Sequence, residues 1–152
     1  MGEPDVGGEA GGDRATRAVV GEVTRRVPPR HCDAQGMMHP SRPAEYVEDA
    51  FLAWLDAACG GYDALRAAGV DLVVAEVTTR YRAAVRLGDE VTARATAVER
   101  RRRSVTVRCD LVRAGEVLVT ATTAYVCVGP SGAVPLPPVL EAALAGVPTP
   151  PA

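Results

Sequence analysis

The chain has 152 residues, of which 47% are hydrophobic and 24% charged. That is one domain's worth of sequence with enough apolar content for a core, which excludes collagen-like and wholly disordered classes. A formal net charge of −2 argues against a nucleic-acid binder working by bulk electrostatics. All 17 basic residues are Arg, which together with the abundant Ala, Gly and Val points to a GC-rich, bacterial coding sequence.

Residues 1–17 hold one branched aliphatic residue, Val6, among glycines and acidic residues, and are expected to form a disordered arm. No apolar stretch follows a basic start, as a secretory signal requires. No run approaches the roughly 20 apolar residues of a membrane span. A cytoplasmic location without membrane contact is therefore expected. Cys32, Cys59, Cys109 and Cys127 form no C-x-x-C pair, so no metal site is expected, and Cys109 and Cys127 read as buried thiols at alternating strand positions. With no Walker A, dinucleotide fingerprint or His-x-x-x-His pair, no cofactor is expected.

Val19 to Val27 is β-prone, and Pro28-Pro29 ends it. A polar loop follows from Arg30 to Arg42, with His31 read as a strand-end residue. Pro43 suits the first turn of a helix. From there Val47, Ala50, Phe51, Trp54, Leu55 and Ala58 recur at three- and four-residue spacing, giving one strongly apolar helical face. Gly60-Gly61 interrupts it, and a short helical piece, Tyr62 to Ala68, ends at Gly69. Val70 to Tyr81, Glu90 to Arg101, Ser104 to Arg113 and Glu116 to Val128 are rich in Val and Thr and read as strands. In the third, Val105, Val107, Cys109 and Leu111 point one way and Thr106, Arg108 and Asp110 the other. Short links between the strands favour an antiparallel meander. Pro137 to Leu144 reads as a closing helix. The expected class is α+β, with residues 18–146 as one domain and 147–152 as a flexible tail.

This order resembles the hotdog fold, an antiparallel five-stranded sheet wrapped around a central helix. Asp33-Ala34-Gln35-Gly36 followed by Tyr46-Val47-Glu48-Asp49-Ala50 fits a D-x-x-G … Y-L-E-E-A pattern without gaps. Tyr81 to Asp89 is similar to a Y-x-x-P-x-x-x-G-D stretch, with Ala84 where Pro is usual. Arg101-Arg102-Arg103-Ser104 is similar to a basic-basic-basic-Ser turn. Together these resemble the 4-hydroxybenzoyl-CoA thioesterase family from about Val19 to Pro138. Fold alone licenses no reaction.

A carboxylate beside a helix N-terminus can attack a thioester carbonyl or activate a water, and the resemblance makes Asp33 the catalytic carboxylate. The competing reading is that Asp33 only turns the loop before Gly36. Backbone N–H groups at the helix start can polarise a carbonyl oxygen. Pro40, however, stands where the resemblance places one of these donors, and Pro has no N–H. Ser41, Arg42 or an earlier N–H in the loop then takes over, or the carbonyl is held differently. His39 can move protons near neutral pH, as in hydratases of the same fold. It also reads as a loop residue bonded to backbone. Arg42 can hold a carboxylate through its planar fork, and Glu48 is a second-choice base. Gly36, Ser41, Arg42, Tyr46 and Glu48 form the expected substrate-binding set. Arg101, Arg102 and Arg103 are either a solvated turn or, as the resemblance implies, a clamp for the phosphates of coenzyme A or a carrier-protein pantetheine arm.

Three functions fit these residues. The first is an acyl thioesterase acting on an acyl-CoA or acyl-carrier-protein thioester. The second adds water or an amine to an α,β-unsaturated thioester, with or without later hydrolysis. The third is a non-catalytic thioester-binding domain. The resemblance implies a homodimer, or a homotetramer built from dimers.

Overall fold

A computed structural model of the protein describes residues 18–151; the expected arm at 1–17 lies outside them. Strand β1 (Val20–Arg26) leads into a single 3-10 turn (Pro29–His31) and the loop before helix α1 (Pro43–Cys59). A short helix α2 (Tyr62–Ala67) precedes the strands β2 (Asp71–Tyr81), β3 (Glu90–Arg100), β4 (Ser104–Arg113) and β5 (Glu116–Gly129). A two-residue strand β6 (Gly132–Ala133) and helix α3 (Pro138–Ala143) close the chain.

The sheet is antiparallel and six-stranded, in the order β1-β3-β4-β5-β2 with β6 on β5. Five strands were expected; β6 is too short to leave a pattern. The meander holds for β3, β4 and β5. Ala114 (φ 46°) and Gly115 (φ 82°) close the β4–β5 hairpin with two consecutive left-handed residues. It fails for β2, which bonds to β5 instead of β3. The reason is that β1 occupies the free side of β3, from Val20 opposite Thr96 to Arg26 opposite Glu90.

Helix α1 buries Tyr46, Ala50, Phe51, Trp54 and Leu55 against the sheet. Gly21 makes this approach possible. A Cβ there would strike Trp54 N and lie 2.5 Å from the Ala50 carbonyl oxygen. From the sheet side, Tyr125 stacks on Phe51 with ring centroids 3.9 Å apart. Val105, Val107, Cys109 and Leu111 of β4 all face this core. Burial pushes the Cys109 thiol up to about 12, so it is an inert packing group. The helix ends where Gly60 turns left-handed (φ 89°) and donates to the Asp56 carbonyl.

Strand β2 contains a bulge. Val74 faces Tyr125 and Glu76 faces Ala124, leaving Ala75 unpaired between them. Leu72 and Val74, and then Val77, Thr79 and Tyr81, consequently lie on the helix side. Glu76, Thr78 and Arg80 fall on the outer face. The residues at 147 and 148 are bonded to β3: Arg100 donates from its backbone N–H to Pro148 O at 2.9 Å and from Nε to Val147 O at 3.2 Å.

Candidate functional site

The loop between the 3-10 turn and α1 is shaped by Asp33. Its Oδ1 accepts backbone N–H bonds from Gln35 at 2.9 Å and Met37 at 3.1 Å. Gly36 adopts φ 75° in the resulting turn, a conformation that favours glycine. The turn-forming reading of Asp33 is therefore correct as far as it goes. It uses one carboxylate oxygen; Oδ2 has no hydrogen-bond partner among the described residues, and the residue is exposed.

His39 is exposed, with Nδ1 2.8 Å from Ser41 Oγ and accepting from the Ser41 N–H at 3.2 Å. No hydrogen bond joins it to Asp33 among the described residues. Arg42 donates to Glu45 Oε1 at 2.7 Å and to the Arg30 carbonyl at 3.3 Å, so its fork is already engaged. Tyr46 is fully buried. Its hydroxyl lies 2.9 Å from Nδ1 of His31 and points away from any open surface. The structure thus corrects two expectations. Tyr46 lies in the core and lines neither of the cavities described below, and His31 is a buried member of the 3-10 turn.

Two apolar cavities flank Pro43, the first residue of α1. One, of about 290 Å³, lies between the loop residues Met37, Met38 and Pro40 and the segment after β2, including Arg82 and Val85. Tyr81 closes one side by donating from its hydroxyl to Pro40 O at 2.6 Å. The other, of about 140 Å³, runs between α1 and the β2–β5 pair and is lined by Ala44, Val47, Glu48, Val74 and Val77 among others. Glu48 is the sole ionisable carboxylate in its lining.

Pro40 has no backbone N–H to offer. Pro43 at the first helical position also has no N–H, and Glu45 N–H is taken by the Arg42 carbonyl at 3.0 Å. The N–H of Ala44 has no hydrogen-bond partner among the described residues, and Ala44 lines the second cavity. Sequence reasoning missed this donor. The signal was Pro43 itself: once it is fixed as the first helical residue, the next residue carries the helix's first N–H.

Arg101, Arg102 and Arg103 form the β3–β4 turn. Arg101 donates to Glu99 at 3.0 Å, whereas Arg102 and Arg103 have exposed side chains without a partner among the described residues. The turn lies at the far end of β3 from the Asp33 loop. Gly36 O accepts from Leu87 N, and Val27 bonds to Asp89, which places that loop beside the start of β3. The 11 residues of β3 separate the two ends, a distance on the order of 30 Å.

A curled antiparallel sheet against one long helix is the hotdog architecture. Residues 27–144 match the thioesterase-like superfamily. The chain belongs to this superfamily and is, on that membership, a thioester hydrolase. No curated protein matches it. Among solved structures, it is similar to a hypothetical protein from Thermus thermophilus (28% identity, TM-score 0.76, covering 82% of this chain and 97% of that one). It is also similar in fold to a 1,4-dihydroxy-2-naphthoyl-CoA thioesterase from Synechocystis (18% identity, TM-score 0.73, covering 83% and 96%). A third, a Staphylococcus aureus protein in complex with CoA, shares 15% identity at TM-score 0.77, covering 87% of this chain and 88% of that one. Among the described residues, no helix is long and apolar enough to cross a membrane.

Proposed function

We propose that the chain hydrolyses the thioester of an acyl group carried on coenzyme A or on a carrier-protein pantetheine arm, within or close to the 4-hydroxybenzoyl-CoA thioesterase family. The unpartnered Ala44 N–H at the start of α1, beside an apolar groove that Ala44 helps to line, is the observation that carries this reading. It is a fixed donor, backed by the dipole of a 17-residue helix, where a thioester carbonyl develops negative charge. Asp33 Oδ2 takes a proton from a water that bonds to the carbonyl carbon, or attacks that carbon itself to give a mixed anhydride that water then hydrolyses. The carbon–sulfur bond breaks, the thiolate takes up the proton given up by water, and free acid and thiol leave. Glu48 is the reserve base. The apolar linings of both cavities suit a hydrocarbon acyl chain.

A homodimer completes the site in this reading. β2 is an edge strand with Val73 42%, Val74 55%, Val77 53% and Tyr81 55% exposed, more apolar surface than a free edge normally shows water. Pairing two such edges antiparallel about a two-fold axis sets the Asp71 end of one β2 beside the Tyr81 end of the other. The Arg turn lies at the Asp71 end. Arg102 and Arg103 of the partner subunit then approach the Asp33 loop, and the separation of about 30 Å within one chain ceases to matter. This supports a phosphate clamp acting between subunits.

The test is a mass-spectrometric time course on saturated and 2-enoyl CoA thioesters, with wild type and Asp33→Asn, with and without glycine. Free acid and CoA from saturated substrates, lost in the variant, are expected. Mass gain on the enoyl substrate before any thiol appears would replace hydrolysis by conjugate addition. That route draws no support from His39, which is bonded to Ser41. Saturable binding without turnover across the panel would leave a binding domain.

A further inference from the structure

His31 is 2% exposed and sits two residues before Asp33. Tyr46 Oη lies 2.9 Å from its Nδ1, and the two rings meet edge-on at 5.6 Å. Glu45 Oε2 lies 3.4 Å from its Nε2. A carboxylate only accepts, so the ring proton belongs on Nε2, and Nδ1 accepts from the Tyr46 hydroxyl. Burial holds His31 below its ordinary value. Glu45 opposes this, while Arg25, Arg42 and Arg30 reinforce it. The ring is therefore neutral at neutral pH, with its single proton on Nε2.

The contacts close into a frame. The other Glu45 oxygen accepts from Arg42 at 2.7 Å, and Arg42 donates on to the Arg30 carbonyl at 3.3 Å, next to His31 itself. On the far side, the Arg25 guanidinium sits 4.3 Å above the Tyr46 ring and donates to Asp49 at 2.7 Å. The His31 carbonyl accepts from His39 N at 2.9 Å. One residue thus touches both ends of the loop and the first turn of α1. Asp33, by contrast, bonds only within its own loop, whose other main-chain ties run from Gly36 and Met38 to the 82–89 segment, from Pro40 to Tyr81, and from Arg42, at the loop's far end, to Glu45.

We propose that His31 is a positioning residue: through Tyr46 it fixes the Asp33 loop against the start of α1. This rests on the reading that Asp33 is the reactive carboxylate and the helix start holds the thioester oxygen. The two groups sit on different elements, and His31 sets their relative placement. In a reaction that depends on alignment, a displacement of about 1 Å lowers the rate roughly 100-fold.

Tyr46→Phe removes only the hydroxyl and keeps the ring under Arg25. His31→Ala removes the imidazole, and His31→Asn returns a polar atom near Nδ1. The first readout is amide hydrogen exchange over residues 32–42 in the full chain. The second is kcat and KM on butanoyl-CoA. Expected in Tyr46→Phe and His31→Ala are exchange over 32–42 faster by about tenfold, unchanged exchange in β3 to β5, and kcat lower by about 10- to 100-fold with KM within about threefold. His31→Asn recovers part of both. Unchanged loop exchange in Tyr46→Phe overturns the proposal, as does loosening spread through the whole sheet, or a change in KM alone. A wild-type chain inactive on thioesters, with the loop still loosened in the variants, overturns the hydrolase reading and leaves the anchoring in place.

Discussion

Replacing Asp33 in two ways separates its turn-forming bonds from the reactive role proposed for it. Asparagine keeps an Oδ1 that can accept from Gln35 and Met37, and loses the charge and the free second oxygen. Alanine loses everything. Two exposed side chain-to-backbone bonds, at 2.9 and 3.1 Å, vanish in Asp33→Ala. At roughly 1 kcal/mol or less for each, the loss is about 1–2 kcal/mol. For a domain of this size that lowers Tm by about 5 °C. Asp33→Asn is expected to melt within about 2 °C of wild type, because the same two N–H groups stay paired. Activity divides differently. Removing a base or nucleophile lowers kcat by about 1,000-fold, near 4 kcal/mol in barrier, in both variants. The assays are calorimetry and quantified release of free acid. Asp33→Asn with kcat within threefold of wild type refutes any reactive role for the carboxylate. Asp33→Ala with an unchanged Tm refutes the account of the turn.

Gly21→Ala drives a Cβ into the α1 backbone at Trp54 and Ala50, and is expected to destabilise by about 3 kcal/mol or more; a thermal melt like that of wild type would show that helix and strand separate freely. Because burial lowers the folded pKa of His31 below 6.5 despite Glu45, and with Arg25, Arg42 and Arg30 acting in the same sense as burial, the unfolded chain binds the proton more readily. Stability is therefore expected to rise with pH up to about 6.5 and to fall as pH drops through the folded pKa; urea titrations at pH 5 and pH 7 check the sign, and His31→Asn should flatten that slope. Arg102→Ala with Arg103→Ala is expected to raise KM for CoA thioesters about tenfold, less at high salt, with little change in kcat; unchanged KM excludes the clamp. Val73→Asp, placing a charge on the exposed outer face of β2 away from the groove, is expected to give a monomer without hydrolase activity by light scattering and product release; a fully active monomer excludes a site completed by a second subunit.

Helix α1 and strand β4 were legible because their buried residues follow periods of 3.6 and 2 over a dozen positions. The pairing of β2 was not. A strand's own pattern says which face is buried, and says nothing about which neighbouring edge remains free once β1 has taken β3. At the site, Asp33 and Gly36 could be read as a turn from local chemistry alone. His31 could not be placed, since its burial depends on Tyr46, 15 residues away and one turn into the helix. The fold class and the superfamily were accessible from a few short motifs, whereas the free N–H of Ala44 emerges only from which backbone groups the helix start leaves unpaired.

The extra residue at Ala75 sets the phase of one strand. N-terminal to it, even-numbered positions of β2 meet the helix side; beyond it, odd-numbered ones do. Without that half-step, Glu76, Thr78 and Arg80 would turn into the groove beside Glu48, and Val77 and Thr79 would turn out of it. Deleting position 75 would leave this arrangement intact, because Glu76 would then follow Val74 in regular alternation opposite Ala124. The groove's chemistry thus depends on Ala75 staying out of the ladder: drawing it into regular pairing, with no change of sequence, would exchange an apolar wall for a charged one.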